Sequence, residues 1–217
     1  MMNVFLCLLM GYLAGCLNPS YLIARCKGFD IRSRGSGNAG ASNAVITMGK
    51  AVGLFSALFD ILKAFLITRA AMALFPSFAL AFPLSGTACI LGHIFPFYMH
   101  FRGGKGLACL GGVLLSYSPL AFLLVLAGEL VLALLTDYIC LVPLTGCLIF
   151  TGLYAWGTHH WAGICIFLIA DIAIFFRHLE NLRRIRCGTE MRLSYLWRKD
   201  EELARIQKAP EERDEEK

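Results

Sequence analysis

Residues 4–24, 52–75 and 80–99 are nearly unbroken apolar runs. Each has the length, about 20 residues, that a helix needs to cross a bilayer. In lipid every backbone N–H and C=O must be satisfied inside the protein, so only helices and closed barrels cross. Runs of this length without two-residue alternation specify helices. Further apolar runs cover 106–135, 139–156 and 161–176. The first of these is interrupted at Ser116-Tyr117-Ser118-Pro119, which predicts two short helices packed inside a bundle. The expectation is therefore an all-α membrane protein, a polytopic bundle of about seven transmembrane helices over residues 1–187. A charged tail over 188–217 follows, disordered over 210–217.

Hydrophobic residues make up 58% of the chain and charged ones 16%, with a mean hydropathy of +0.65, outside the range of an ordinary soluble domain. The first run lacks a basic leader and a small-residue cleavage site, so it is read as a retained span rather than a signal peptide. The net charge of +5 says little, because the charges cluster. Arg25, Lys27, Arg32, Arg34 and Lys50 lie between the first two runs. Arg102 and Lys105 lie before the fourth, and Arg177, Arg183, Arg184 and Arg186 follow the last. The alternate connections, around Pro76, Ser116 and Gly157, carry no Lys or Arg. The positive-inside rule then places the N-terminus outside and the tail in the cytoplasm, which requires an odd number of spans. The basic residues form no aromatic-interleaved patch, so no nucleic acid is expected as a partner. Most of the nine cysteines fall in apolar runs and none pairs as Cys-x-x-Cys, so they read as small buried hydrophobes.

Three polar segments survive in this apolar background, all on the predicted cytoplasmic side. Polar groups cost free energy in lipid unless protein or a wet cavity surrounds them, so segments meeting at one face point to one built site. The first segment runs over 35–43, Gly-Ser-Gly-Asn-Ala-Gly-Ala-Ser-Asn. It fits G-x-G-x-x-G literally, and Asp60 follows at about the dinucleotide spacing, but no strand precedes it and Asp60 belongs to an apolar helix. What survives is the underlying physics. Glycines let backbone N–H groups approach an anion, and Ser36, Asn38, Ser42 and Asn43 add donors. Taken alone, the segment is more simply a polar turn at a helix boundary.

The second segment joins Gly92-His93-Ile94-Phe95-Pro96 to Phe101-Arg102-Gly103-Gly104-Lys105-Gly106. A nucleotide P-loop would need Gly at Met99 and Ser or Thr at Gly106, which disfavours nucleotide hydrolysis. Glycines and a lysine opening a helix still make a phosphate seat, since free N–H groups and the helix dipole favour an anion there. The competing role is a positive-inside loop. The third segment places His178, Asn181 and Arg184 on one face if the last helix continues past Phe176, with Gly188 ending it and Glu190 a structural hydrogen-bonding partner.

His93 is expected deep in the third span, as an interhelical hydrogen-bonding group first and a substrate contact second. Asp60 and Lys63, at i,i+3, can pair within the second span, with Lys63 also able to turn toward an anion. Glu129, Asp137 and Asp171 show no metal or acid/base spacing and read as packing or boundary residues. No His is followed after four residues by Asp, and no G-x-S-x-G or H-E-x-x-H occurs, so no activated nucleophile or zinc site is apparent.

In order and spacing these segments resemble the bacterial acyl-phosphate:glycerol-3-phosphate acyltransferases, the PlsY family, along nearly the whole chain. That family's motifs look like G-S-G-N-x-G-A-T-N, then G-H-x-F-P with F-x-G-G-K-G, then H-x-x-N followed by R and G-T-E. They correspond here to 35–43 (Ser42 for Thr), 92–106, and His178, Asn181, Arg184 and 188–190. The resemblance implies transfer of a fatty acyl group from acyl-phosphate to the 1-hydroxyl of glycerol 3-phosphate, giving lysophosphatidate and phosphate, the first step of phospholipid synthesis. It implies a bacterial inner-membrane enzyme with its active site facing the cytoplasm, among membrane lipids, with no cofactor and no metal. Ser36, His178 and Asn181 become the catalytic candidates. Gly37, Asn38, Gly40, Asn43, Lys63, His93, Gly103, Gly104, Lys105, Gly106, Arg184 and Glu190 become the substrate-binding ones. The family usually has Arg three residues after the last Asn of its first motif, where Ile46 stands here. Lys50, Lys63 or Arg34 are the candidates to compensate. The alternatives are a diverged paralogue with altered substrate, or a transporter of a phosphorylated solute, although transport favours a site near the midplane and repeats that this chain lacks.

Overall fold

The computed structural model describes residues 1–208, so the disorder expected over 210–217 lies outside the described residues. Among the described residues the chain is helical, without strands. In order it forms α1 (Met2–Cys16), α2 (Pro19–Cys26), α3 (Ala41–Met48), α4 (Lys50–Leu74) and α5 (Ala81–Ile94). There follow α6 (Leu107–Tyr117), α7 (Pro119–Thr136), α8 (Val142–Thr158), α9 (Trp161–Arg186) and α10 (Lys199–Lys208). By length and composition α4, α7 and α9 can cross a membrane, and α1 with α2 adds a fourth candidate if that bent pair is one span. The apolar helices α5, α6 and α8 are shorter, at 14, 11 and 17 residues.

Three expectations need correction. Residues 4–24 are not one continuous helix: the helix breaks after Cys16, and α1 and α2 meet at 41°. Proline at 19 removes an N–H, and the Asn18 side chain accepts the Tyr21 N–H at 2.9 Å, starting a new helix there. The third run ends at Ile94 rather than 99, because Pro96 stops the helix, and His93 therefore lies in its last turn rather than deep in the span. The break at Ser118 is present, with the serine hydroxyl accepting the Ala121 N–H at 3.2 Å, but α7 is long enough to span by itself. The last helix does continue past Phe176, to Arg186.

Packing follows membrane rules, in which small residues let helices approach closely. On α1 Gly15 lies against the Cys89 carbonyl, and on α5 Gly92 lies against the Tyr12 carbonyl, leaving no room for a Cβ at either. An aromatic cluster fills the centre between α5, α8 and α9. Phe167 meets Phe150 at 4.8 Å, Tyr154 at 5.0 Å and Phe82 at 5.6 Å between ring centroids, all edge-on, as ring quadrupoles prefer. Leu54, Leu58, Leu62 and Leu66 keep one face of α4 exposed, a surface suited to lipid. Beyond α9 the chain folds back: the Leu193 N–H reaches the Asp137 carbonyl at 2.7 Å, and Ser194 donates twice to the Asp137 carboxylate at 2.8 Å.

Candidate active site

Segment 35–43 is shaped by Asn43, fully buried near the start of α3. Its amide nitrogen donates to the carbonyls of Ile31 (3.0 Å), Arg34 (3.0 Å) and Asn38 (2.8 Å), and its amide oxygen accepts the Ser36 N–H at 2.9 Å. One side chain thus replaces the backbone ladder that an irregular loop lacks. The loop is tied on both sides. Asn18, at the α1–α2 corner, donates to the Ala39 carbonyl at 3.0 Å. Arg32 pairs with Asp30 at 2.7 Å and donates to the Met99 carbonyl at 2.6 Å, linking the first segment to the second. Ser36 stands exposed at the rim.

The second segment doubles back over the end of α5. The Gly103 N–H donates to the Ile94 carbonyl at 2.9 Å and the Gly104 N–H to the His93 carbonyl at 3.0 Å. A Cβ on Gly104 would strike the His93 imidazole, so only glycine permits this approach. Gly106 then opens α6 with φ +93°, a left-handed conformation. Lys105 is held between these constraints, and its ammonium donates to the Asn181 amide oxygen. Burial first, then the neighbouring Arg184 guanidinium, pull Lys105 down to about 8; Glu190 and Glu180 oppose that pull, and Arg177 adds to it.

On α9, His178, Asn181 and Arg184 share one face, as the i,i+3 spacing predicts. His178 Nδ1 lies 2.8 Å from the Ile174 carbonyl. A carbonyl only accepts, so Nδ1 carries the hydrogen and neutral His178 keeps its lone pair on Nε2. Glu190, buried, bridges its neighbours: one oxygen accepts from Asn181 Nδ2 at 2.5 Å and the other from Arg184 Nε at 2.7 Å. Arg184 also pairs with Glu180 at 2.7 Å.

These side chains line one cavity of about 330 Å³ that draws on all three segments. Ser36, Asn38, Gly40 and Ser42 come from the first, His93, Lys105 and Gly106 from the second, and His178, Asn181, Arg184 and Glu190 from the third. Gly37, Asn43, Lys63, Gly103 and Gly104 stand behind this lining. Lys63 does not reach the lining and sits behind Asp60 and His93, which do. Its ammonium donates to the carbonyls of Gly15 (2.9 Å) and Leu17 (2.5 Å), capping the broken end of α1, and pairs with Asp60 at 2.6 Å. His93 Nδ1 lies 3.2 Å from that ammonium and 3.4 Å from Asp60. Ligand atoms of Asp60, His93 and Cys109 lie within 4.8 Å of one another, but Lys63 already supplies the cation at that carboxylate.

Residue order gave no sign of the remaining walls. Ile139, Cys140 and Pro143, at the α7–α8 corner, and Met191, Arg192, Leu193, Tyr195 and Leu196, from the tail, close the cavity. A charged tail carries no periodicity that would have marked them. Ile46 lines the cavity too, as an apolar wall.

The sequence matches the family described as "Glycerol-3-phosphate acyltransferase" over residues 5–188. A protein of that name from Bacillus subtilis (strain 168) is 35% identical over 197 residues, covering 90% of this chain and all of its own length. One from Thermus thermophilus is 38% identical, covering 86% of this chain and 93% of its own length. Among solved structures, the glycerol 3-phosphate form of PlsY, an integral membrane glycerol 3-phosphate acyltransferase, superposes with a TM-score of 0.82 at 30% identity, covering 89% of this chain and 96% of that one. A second form of PlsY, with lysophosphatidic acid, gives 0.77 at 29% identity, covering 87% and 94%. With motifs, fold and sequence all in agreement, this chain belongs to the glycerol-3-phosphate acyltransferase family.

Proposed function

We propose that this chain transfers a fatty acyl group from acyl-phosphate to the 1-hydroxyl of glycerol 3-phosphate, releasing lysophosphatidate and phosphate. The observation that carries this is the convergence of Lys105, from the second segment, with Arg184 and His178, from the third, on one cavity with both polar and apolar walls. Two anionic substrates repel each other in a partly dry pocket. Lys105, Arg184 and backbone N–H groups of the first loop offset that repulsion, most of all where charge builds up in the transition state. Acyl-phosphate is an activated mixed anhydride, so holding the hydroxyl against its carbonyl supplies much of the rate. His178 Nε2, with its lone pair free, is placed to take the hydroxyl proton together with the departing phosphate. Ser36 and Asn181 orient the acyl-phosphate, and no enzyme-bound acyl intermediate forms.

We infer in addition seven spans, α1 with α2, then α4 to α9, in the bacterial inner membrane. The N-terminus lies outside and the cavity opens to the cytoplasm. Support comes from the placement of Lys and Arg on alternate connections. Phosphate release from a synthetic acyl-phosphate, dependent on added glycerol 3-phosphate, tests the reaction. Release without that dependence, or a trapped acyl group on Ser36, would overturn it. Cysteine labelling at Ser36 and His178 from opposite leaflets would overturn the topology.

A further inference from the structure

The family match ends at residue 188, yet the chain beyond it folds back to roof the cavity and is then clamped by α10. Arg205 makes the clamp. Its guanidinium donates to the Gly188 carbonyl, to the Glu190 carbonyl at 2.6 Å, and to both oxygens of Glu202 at 2.8–2.9 Å. Buried Glu202 in turn accepts the Arg192 N–H at 3.3 Å. Burial, the largest single influence, would raise the Glu202 carboxyl, but the hydrogen bonds from Arg205 and the Arg192 N–H, with the charges of both arginines, together hold it below the usual carboxylate range. One Arg–Glu pair therefore grips the backbone on both sides of Glu190.

Glu190 is the joint between this clamp and the site. Its carboxylate fixes Asn181 and Arg184, and Asn181 receives the Lys105 ammonium. We propose that Arg205, with Glu202, is a positioning residue for the phosphate site, acting through Glu190 on Asn181 and Lys105. The inference rests on the acyl-transfer reaction proposed above. It makes α10, which lies outside the matched family region, a working part of this chain's active centre.

The test uses the full-length protein in lipid nanodiscs, assayed by phosphate release across a pH series. Wild-type turnover dependent on glycerol 3-phosphate tests the reaction itself, and its absence would sink the reaction rather than the clamp. Given that turnover, Arg205→Ala is expected to raise KM for glycerol 3-phosphate roughly 3- to 30-fold, the range for residues that act through a network. It should also move the alkaline limb of kcat/KM to lower pH. Lys105 then loses the Glu190 charge that favours its ammonium form, while Arg184 and Arg177 still oppose that form and Glu180 alone supports it. Arg205→Lys should restore part of both effects. Glu201→Ala, an exposed site next to Glu202, should match wild type. Should Arg205→Ala not fold, Glu202→Gln and Arg205→Lys carry the test, with smaller shifts in the same directions. A wild-type KM and an unmoved alkaline limb in the folded variants, even with a lower kcat, would overturn the proposal.

Discussion

Lys105 and Asn181, 76 residues apart in sequence, meet where α6 begins and α9 leaves the bundle, ammonium to amide oxygen. Asn181 turns its other amide atom to Glu190, so the lysine is aimed by a side chain that is itself held. The cation of the site is thus fixed in direction before any ligand arrives, which is what electrostatic preorganisation requires.

Removing that cation should be the most damaging single change. Lys105→Met keeps most of the buried stem and deletes the charge. Steady-state phosphate release should fall roughly 100- to 1,000-fold, the cost of losing one preorganised charge contact. A fall of less than tenfold would place the phosphate seat elsewhere.

The pH dependence has a definite sign. Lys105, pulled down to about 8, is charged below that pH and loses its proton above it, so anion binding is present at neutral pH and lost on the alkaline side. The kcat/KM profile should bend downward near pH 8, and the kcat limb should lie higher because bound phosphate favours the ammonium. Arg184→Gln should shift the kcat/KM limb upward by removing a like charge, even as it weakens binding. A limb that stays put in that variant argues against Lys105 as the titrating group.

Asn43 makes a sharper stability prediction. Its nitrogen faces three carbonyls, so Asn43→Asp puts an acceptor where only donors fit. Asn43→Ala should cost about 1–3 kcal/mol, for buried groups left unsatisfied. Asn43→Asp, nearly the same size, should cost more. Thermal denaturation in detergent ranks the two, and an aspartate variant as stable as wild type contradicts the assigned amide orientation.

Lys63 and Asp60 form a buried pair, and breaking one partner leaves an uncompensated charge. Lys63→Met should destabilise by about 3–5 kcal/mol. Adding Asp60→Asn should recover part of that loss, a coupling that a double-mutant cycle in the same melts would measure. Additive losses would mean that the lysine matters only as the cap of α1.

Much of this was legible from residue order. The apolar runs marked the helices, and the i,i+3 spacing of His178, Asn181 and Arg184 placed them on one face. The three polar segments were expected at one site, and they do line one cavity. Sequence could not separate residues that touch the cavity from those that build it. Asn43 and Asn38 belong to one motif, yet Asn43 is engaged by backbone carbonyls and Asn38 lines the cavity. Lys63 looked available to an anion because the α1 break that engages it lies 46 residues upstream. The tail was unreadable for the same reason: Asp137 and Ser194 pair across 57 residues, and nothing local announces it.

The corner at Asn18 has a further consequence. Its amide fastens Ala39, Asn43 fastens the turn before it, and Arg32 fastens that turn to Met99, so the rim carrying Ser36 is bolted to the helical scaffold at several points. Such a rim does not sweep shut like a flap on arrival of a guest. The disorder lost in arranging it is charged to folding rather than to capture, and each encounter begins with a finished mould.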